Sequence, residues 1–226
     1  LNPQAEIRDD HEGGSVAQRK ITQARAHETR ARILTGAAEA FAEHGFAGAT
    51  IADIVTRSGV TKRALYFHFD TKEEVADAVL AAHTTWLRDA VAALAGSPVQ
   101  RLVDYGYLTC DGLADDPIFQ ATARLAIERE TYGAGRPASF GVWQETTRDM
   151  LDEVAAAGCL NAGVDTGVVA RMLSATVLGL HLSARASDPS SRLHAEIEQF
   201  WTHAGATLVR PEALAGVTLR RARPTA

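Results

Sequence analysis

The sequence predicts an all-α protein built from a three-helix N-terminal unit and a larger helical C-terminal unit. Three observations lead there. Helix-start and helix-stop residues bracket one long segment after another, no strand-like alternation flanked by turn pairs occurs, and Thr50 to Lys72 reads as a short helix, a glycine turn and a second short helix. The expected organisation is a disordered tail over 1–18, a compact unit over 19–70, a larger unit over 71–210 and a loose tail over 211–226.

Taken in order, Arg19, Lys20, Arg25, Arg30 and Arg32 form a basic lead into the first long helix. It reads as an arm that follows a DNA backbone or minor groove, or as a solvated tail. Ile33, Ala37, Ala40 and Phe41 supply a buried stripe, and Gly45 is the expected stop. Thr50 followed by Asp53 is a helix-start signature, in which the hydroxyl caps orphan N–H groups and the acid offsets the positive helix end. Ile51, Ile54 and Val55 share one face, Ser58-Gly59 ends the helix, and Thr61 caps the next. Thr71-Lys72-Glu73-Glu74 is a second capping box. It opens a helix through Val75, Val79, Trp86, Leu87 and Leu94, the natural mechanical link between the two units. Further breakers at Gly96-Ser97-Pro98, Asp116-Pro117, Gly133 to Pro137, Gly158 to Gly163 and Asp188-Pro189 divide the rest into helices near 98–115, 117–131, 138–157, 165–186 and 190–208. Arg220, Arg221 and Arg223 fall in the C-terminal tail.

The formal charge is −5, yet residues 17–72 hold nine basic against five acidic side chains, a net of +4 that leaves −9 elsewhere, and all three lysines (Lys20, Lys62, Lys72) lie in that window. A basic end on an acidic body suits a protein that meets phosphates with one face. Cys110 and Cys159 are too few for a disulfide framework and match no metal spacing, so they read as reduced, small hydrophobes. No His-x-x-x-His or Cys-x-x-Cys pair, Gly-rich phosphate loop or triad-like cluster is present, so no metal, cofactor or enzymatic activity is expected. The first twenty residues lack the apolar core of a signal peptide, and no uninterrupted apolar run is long enough for a membrane span. The expected location is cytoplasmic.

In the second short helix, Leu65 and Phe69 are apolar at i and i+4, while Thr61, Lys62, Arg63, Tyr66 and His68 supply hydroxyls, cations and a phenol. Such a helix enters a major groove while its predecessor braces it on the backbone. On spacing alone an ordinary hairpin with a solvated polar face stays equally open. The tract and its surroundings, from Arg30-Ala31-Arg32-Ile33-Leu34 through Ala37 to Phe41, Gly45-Phe46, Thr50, Ile54, Gly59-Val60, Leu65 to Phe69 and Lys72-Glu73-Glu74, resemble the N-terminal domain of TetR-type repressors. Arg63 departs from that pattern, since many relatives carry glycine there; it reads a base edge or reaches another phosphate. The resemblance implies a helix-turn-helix DNA-binding domain over 19–70 and a ligand-binding and dimerisation domain over 71–210. It implies DNA contacts at Thr50, Thr61, Lys62, Arg63, Tyr66, His68 and Lys72. It also implies a homodimer formed through the last two long helices, 165–186 and 190–208, with Val177, Leu180 and Phe200 among the residues that face the partner or the chain's own core.

A narrower resemblance lies further on. Asp116-Pro117-Ile118-Phe119-Gln120, Arg124-Leu125-Ala126 and Phe140-Gly141-Val142-Trp143 are similar to the γ-butyrolactone receptors, whose relatives also sense butenolides or furans. That likeness implies a repressor released from a pseudo-palindromic operator by a small diffusible molecule packed on Trp143, with His83 and Thr176 as polar contacts and Leu87, Phe119 and Leu180 along its tail. Each of these residues also reads as plain core. A multidrug-responsive, efflux-type regulator is the alternative, which calls for a broader pocket with more aromatic or acidic walls.

Overall fold

The computed structural model describes residues 11–128, 139–187 and 192–219. Among them the chain runs through α1 (His11–Gly48), α2 (Ile51–Ser58), α3 (Lys62–His68), α4 (Lys72–Ala92), α5 (Pro98–Asp115), α6 (Pro117–Ile127), α7 (Ser139–Ala156), α8 (Thr166–Ser187), α9 (Arg192–Leu208) and α10 (Pro211–Leu214). The one β-type pairing among the described residues is an isolated antiparallel bridge between Leu160 and Val209. Local chemistry sets the ends of these helices. Ser97 and Asp116 accept N–H groups at the starts of α5 and α6, where Pro98 and Pro117 occupy first-turn positions that need no donor.

Two hydrophobic cores form. The first gathers Ile33, Ala37, Phe41, Ile54, Leu65 and Phe69 with Val75 and Val79 of α4 and Ala121 and Leu125 of α6. The second is built from α5, α7, α8 and α9 together with Leu87 of α4 and Phe119 of α6. The sequence boundary at residue 70 therefore divides the chain less cleanly than expected. Helix α4 places Val75 and Val79 in the first core and Leu87 in the second, and α6 turns Ala121 and Leu125 to the first and Phe119 and Ala123 to the second, so two helices link the units, where the sequence pointed to α4 alone.

The N-terminal expectation needs correction. Residues 1–10 lie outside the described residues, but helix begins at His11, so 11–18 are not a disordered tail. No proline interrupts 11–48, and a helix nucleated on the buried stripe propagates backward through the basic stretch despite Gly13-Gly14. The basic lead is thus carried on a helix and is not a flexible arm. Arg32 is committed within the fold, its guanidinium donating to the Ser58 and Gly59 carbonyls at 2.9 and 2.8 Å and so closing the end of α2. At Gly45 the expected stop appears as a kink (φ 69°), after which one further turn reaches Gly48.

The C-terminal expectation also changes. Residues 211–219 are not a loose tail: Leu214, Val217 and Leu219 pack against the second core. Tyr107 donates its hydroxyl to the Leu219 carbonyl, and the Gln100 side chain exchanges two hydrogen bonds with the Thr218 backbone. Apolar spacing at 214, 217 and 219 carried that signal. Arg220, Arg221 and Arg223 lie outside the described residues.

One helix among the described residues, α8, is long and apolar enough over Thr166–Ser183 to cross a membrane by length and composition, with a third of that window buried. Arg171, Ser174, Thr176 and His181 interrupt it, so no unbroken apolar run shows in the sequence. Val168, Met172, Ala175, Gly179 and Leu182 are exposed at heptad-like spacing along it, Met172 to 64%. Such a narrow stripe suits a partner helix better than lipid, which would meet apolar residues all round.

Candidate nucleic-acid interface and ligand cavity

The α2–α3 unit forms as its residues dictate. Thr50 accepts the Asp53 N–H, and the Asp53 carboxylate in turn accepts from both the backbone and the hydroxyl of Thr50, at 2.9 and 2.7 Å. These bonds, first that from the hydroxyl and then that from the backbone, hold the Asp53 carboxyl below its usual range. Gly59 adopts the left-handed conformation (φ 62°) that ends α2. Thr61 then accepts the Ala64 N–H and starts α3.

Leu65 and Phe69 anchor α3 in the core, which aims its opposite face outward. Lys62, Arg63 and Tyr66 are exposed there, with the Lys62 ammonium 5.9 Å from the Tyr66 ring centroid. His68 is half-buried. Thr50 and Thr61 are exposed, one at the start of each helix, although the Thr50 hydroxyl proton is already engaged by Asp53.

Lys72 stands apart from this group. Its ammonium donates to the Phe46 and Ala49 carbonyls at 2.7 and 3.0 Å and lies 4.3 Å from the Phe46 ring centroid, so it secures the end of α1 against the start of α4. Sequence reasoning passed over Phe67, which is 81% exposed beside Tyr66. Its place between two anchoring positions, Leu65 and Phe69, was the signal that it points away from the core. At the second capping box, Thr71 accepts the Glu74 N–H as expected, but the Glu74 carboxylate reaches the Asp70 N–H instead of that of Thr71.

In the C-terminal unit, α5, α7, α8 and α9 enclose a narrow cavity of about 20 Å³, room for roughly one water molecule. Trp143, 5% exposed, forms part of its wall. Thr147 lies one turn further along α7, and Tyr105 and Thr109 sit one turn apart on α5. Leu173, Ser174 and Val177 of α8 and Ile197 and Trp201 of α9 close it. Among the described residues, no charged side chain and no histidine lines it.

Of the six residues singled out for a ligand, the structure brings only Trp143 to this cavity. Thr176 and Leu180 are turned away, because Leu173, Ser174 and Val177 take the inward face of α8. His83, Leu87 and Phe119 are buried but lie off the cavity wall. Phe119 stands edge-on to both His83 and Trp143, with centroids 4.5 and 6.3 Å away, and so bridges the histidine and the indole. Burial pushes the His83 imidazole down to about 4, with Asp116 acting weakly in the other direction. The cavity residues missed from sequence carried a usable signal: Tyr105 with Thr109, and Trp143 with Thr147, are i, i+4 pairs that mix aromatic and hydroxyl groups on otherwise apolar helices.

The profile described as "Bacterial regulatory proteins, tetR family" matches residues 33–79, the segment from the buried stripe of α1 to the first half of α4. Over a much longer stretch the chain is similar to the A-factor receptor protein of Streptomyces griseus, 32% identical over 195 residues that cover 86% of this chain and 69% of that protein. The chain belongs to the TetR family. Among solved structures of TetR-family proteins, it is similar to CprB from Streptomyces coelicolor in complex with its biological operator sequence, with a TM-score of 0.73 and 27% identity over 88% of this chain and all of that one. It is also similar to a γ-butyrolactone receptor described as ArpA-like, with a TM-score of 0.67 and 26% identity over 87% of this chain and 95% of that one. The likeness to the A-factor receptor spans both units of this TetR-family regulator, so it includes the helices that build the cavity as well as the DNA-facing end.

Proposed function

We propose that this TetR-family protein is a ligand-responsive transcriptional repressor in the cytoplasm, with no catalytic activity of its own. It binds a pseudo-palindromic operator as a homodimer and is released by a small γ-butyrolactone-like molecule entering the cavity beside Trp143. The observation that carries this reading is the pairing of an outward, cationic and aromatic α3 with an uncharged cavity in the same chain, on a fold shared along its length with an operator-bound protein and a γ-butyrolactone receptor. Lys62 meets phosphate, Arg63 and Thr61 approach base edges, Tyr66 hydrogen-bonds the backbone, and Phe67 packs on a sugar or a thymine methyl. Thr50 contributes through the positive start of α2, since its hydroxyl proton is spent on Asp53.

Dimerisation runs through the exposed stripe of α8 with α9 beside it and places two α3 helices at successive major-groove faces, about 34 Å apart. Because the cavity has room for only about one water molecule, a ligand must widen it. Binding therefore selects a conformation different from the one described here, which is how a ligand acquires differential affinity for two states. An efflux-type reading calls for a broader pocket with more aromatic or acidic walls; Tyr105, Trp143 and Trp201 make this wall aromatic, but the cavity is narrow and its described lining holds no acidic residue.

The test is a gel shift on the DNA upstream of the protein's own gene, with and without a solvent extract of the producing culture. Salt-dependent binding to a specific duplex and its loss with extract are expected. Trp143→Phe should bind the same duplex and need a several-fold higher extract concentration for release, with a thermal melt run alongside to separate lost sensing from lost folding. Binding without any release by extract, or release of Trp143→Phe at the wild-type concentration, would remove the cavity from the mechanism.

A further inference from the structure

Resting on the assignment of the cavity as the ligand site, we propose that the ligand is uncharged and presents an acceptor oxygen that closes two hydrogen bonds left open in the wall, one from the Tyr105 hydroxyl and one from the Trp201 indole N–H. Tyr105 and Trp201 are both almost wholly buried, and the polar atom of each lacks a hydrogen-bond partner. Buried polar atoms without partners are rare, and two on one small cavity mark a place where something else supplies the bond. The Tyr105 hydroxyl lies near the Thr147 hydroxyl and the Trp143 indole without closing a bond to either. The other hydroxyls of the wall have partners: Thr109 donates to the Gly106 carbonyl and Thr147 to the Trp143 carbonyl, both at 2.8 Å, and the Ser174 hydroxyl pairs with that of Thr147 at 3.4 Å. Trp201 reaches the site because Gly106 has no side chain; a Cβ there would sit 3.1 Å from the indole nitrogen.

An indole nitrogen can only donate, and a buried tyrosine hydroxyl without a partner donates most readily to a carbonyl. The cavity therefore asks for an acceptor. Among the described residues its lining also holds no cation, so a carboxylate bound there would be buried without a counter-charge, the costliest arrangement for a small anion. His83 lies off the cavity wall, edge-on to Phe119, and is held neutral by its burial. A neutral lactone or ketone satisfies the site; an alkyl-furan carboxylate does not.

The experiment titrates the full-length protein with two synthetic probes of equal tail length, a hexyl-γ-butyrolactone and a hexyl-furan carboxylate, by calorimetry at neutral pH. Wild-type protein should bind the lactone at least about 100-fold more tightly than the carboxylate, the size expected for one uncompensated buried charge. Tyr105→Phe and Trp201→Phe should each weaken the lactone by about 3- to 10-fold, as the loss of one neutral hydrogen bond predicts. The ligand-free melting temperature of Tyr105→Phe should hold or rise, because the hydroxyl removed has no partner to lose. Equal affinity for the two probes, lactone affinity unchanged in both variants, or a lower melting temperature for ligand-free Tyr105→Phe, as a structural water on the hydroxyl would give, overturns the proposal. Wild-type protein that binds the lactone while its variants behave identically overturns this proposal and leaves the ligand-site assignment standing. Wild-type protein that binds neither probe sinks the ligand-site assignment with it.

Discussion

Lys62 and Lys72 carry the same charge to different ends. Lys62 is exposed at the start of α3, with its ammonium free to approach a phosphate, whereas Lys72 is spent on two carbonyls and an aromatic face inside the N-terminal unit. Lys62→Ala should weaken specific and nonspecific duplexes alike and lower the slope of log K against log salt by about one unit, with its melting temperature unchanged. Lys72→Ala should lose about 1–3 kcal/mol of stability, because two buried carbonyls lose a charged donor. Salt-dependent binding assays beside thermal melts separate the two, and a Lys72→Ala protein of wild-type stability would contradict the role given to its ammonium. His83 makes a second prediction. Its folded pKa of about 4 lies below the ordinary 6.5, so the unfolded chain binds the extra proton between those values. Its contribution to stability is therefore complete above pH 6.5 and is lost as pH falls towards 4, on the order of 3 kcal/mol in all. His83→Leu should flatten the difference in melting temperature across that window; curves that run parallel to wild type would show that the imidazole is not the titrating group.

Helix α6 links the two cores by specific chemistry at both ends. At its start Phe119 touches Trp143 of the cavity wall, and at its end the Glu128 carboxylate accepts the Phe46 N–H at 2.8 Å and the Arg124 guanidinium at 2.6 Å. Gly45 makes room for that carboxylate; a Cβ there would fall 2.2 Å from it. A shift of Trp143 thus has a continuous packed route to the kink of α1 that precedes α2, beside the route through α4 that the sequence pointed to. Glu128→Ala should leave the affinity of free protein for its ligand within about twofold and reduce the mutual effect of ligand and operator, which for such couplings is roughly 5- to 150-fold. Ligand titrations with and without operator measure that ratio directly, and an unchanged ratio would return the whole coupling to α4.

At the scale of the whole molecule, pairing depends on which side chains α8 and α9 leave exposed. The structure turns Val177 to the cavity and leaves Leu180 and Phe200 partly covered, while Val168, Met172 and Leu182 stand out from α8. Met172→Glu should bury an unpaired charge at the interface, a cost of about 3–5 kcal/mol. The expected result is a monomer by light scattering at micromolar concentration that has lost most of its operator affinity, since two half-sites are no longer held together. A Met172→Glu protein that remains dimeric would move the interface off this stripe.

The helix-turn-helix was legible almost residue by residue, because its determinants are local. Thr50 with Asp53, Gly59 and Thr61 each act within one helical turn, and Leu65 with Phe69 settles which face of α3 is left for DNA. The starts of α5 and α6 were legible for the same reason, through Ser97-Pro98 and Asp116-Pro117, while the breakers at Gly133 to Pro137 and Asp188-Pro189 lie outside the described residues. The cavity was not. Trp143 could be named from its neighbours in sequence, but its companions Tyr105, Ser174 and Trp201 come from three other helices. Which of Ser174, Thr176, Val177 and Leu180 faces inward depends on the rotation of α8 about its own axis. That rotation is fixed by packing between helices distant in sequence, where an error of one position turns a side chain through about 100°. Local chemistry therefore determined what this protein holds towards DNA, and only tertiary packing decided what it encloses.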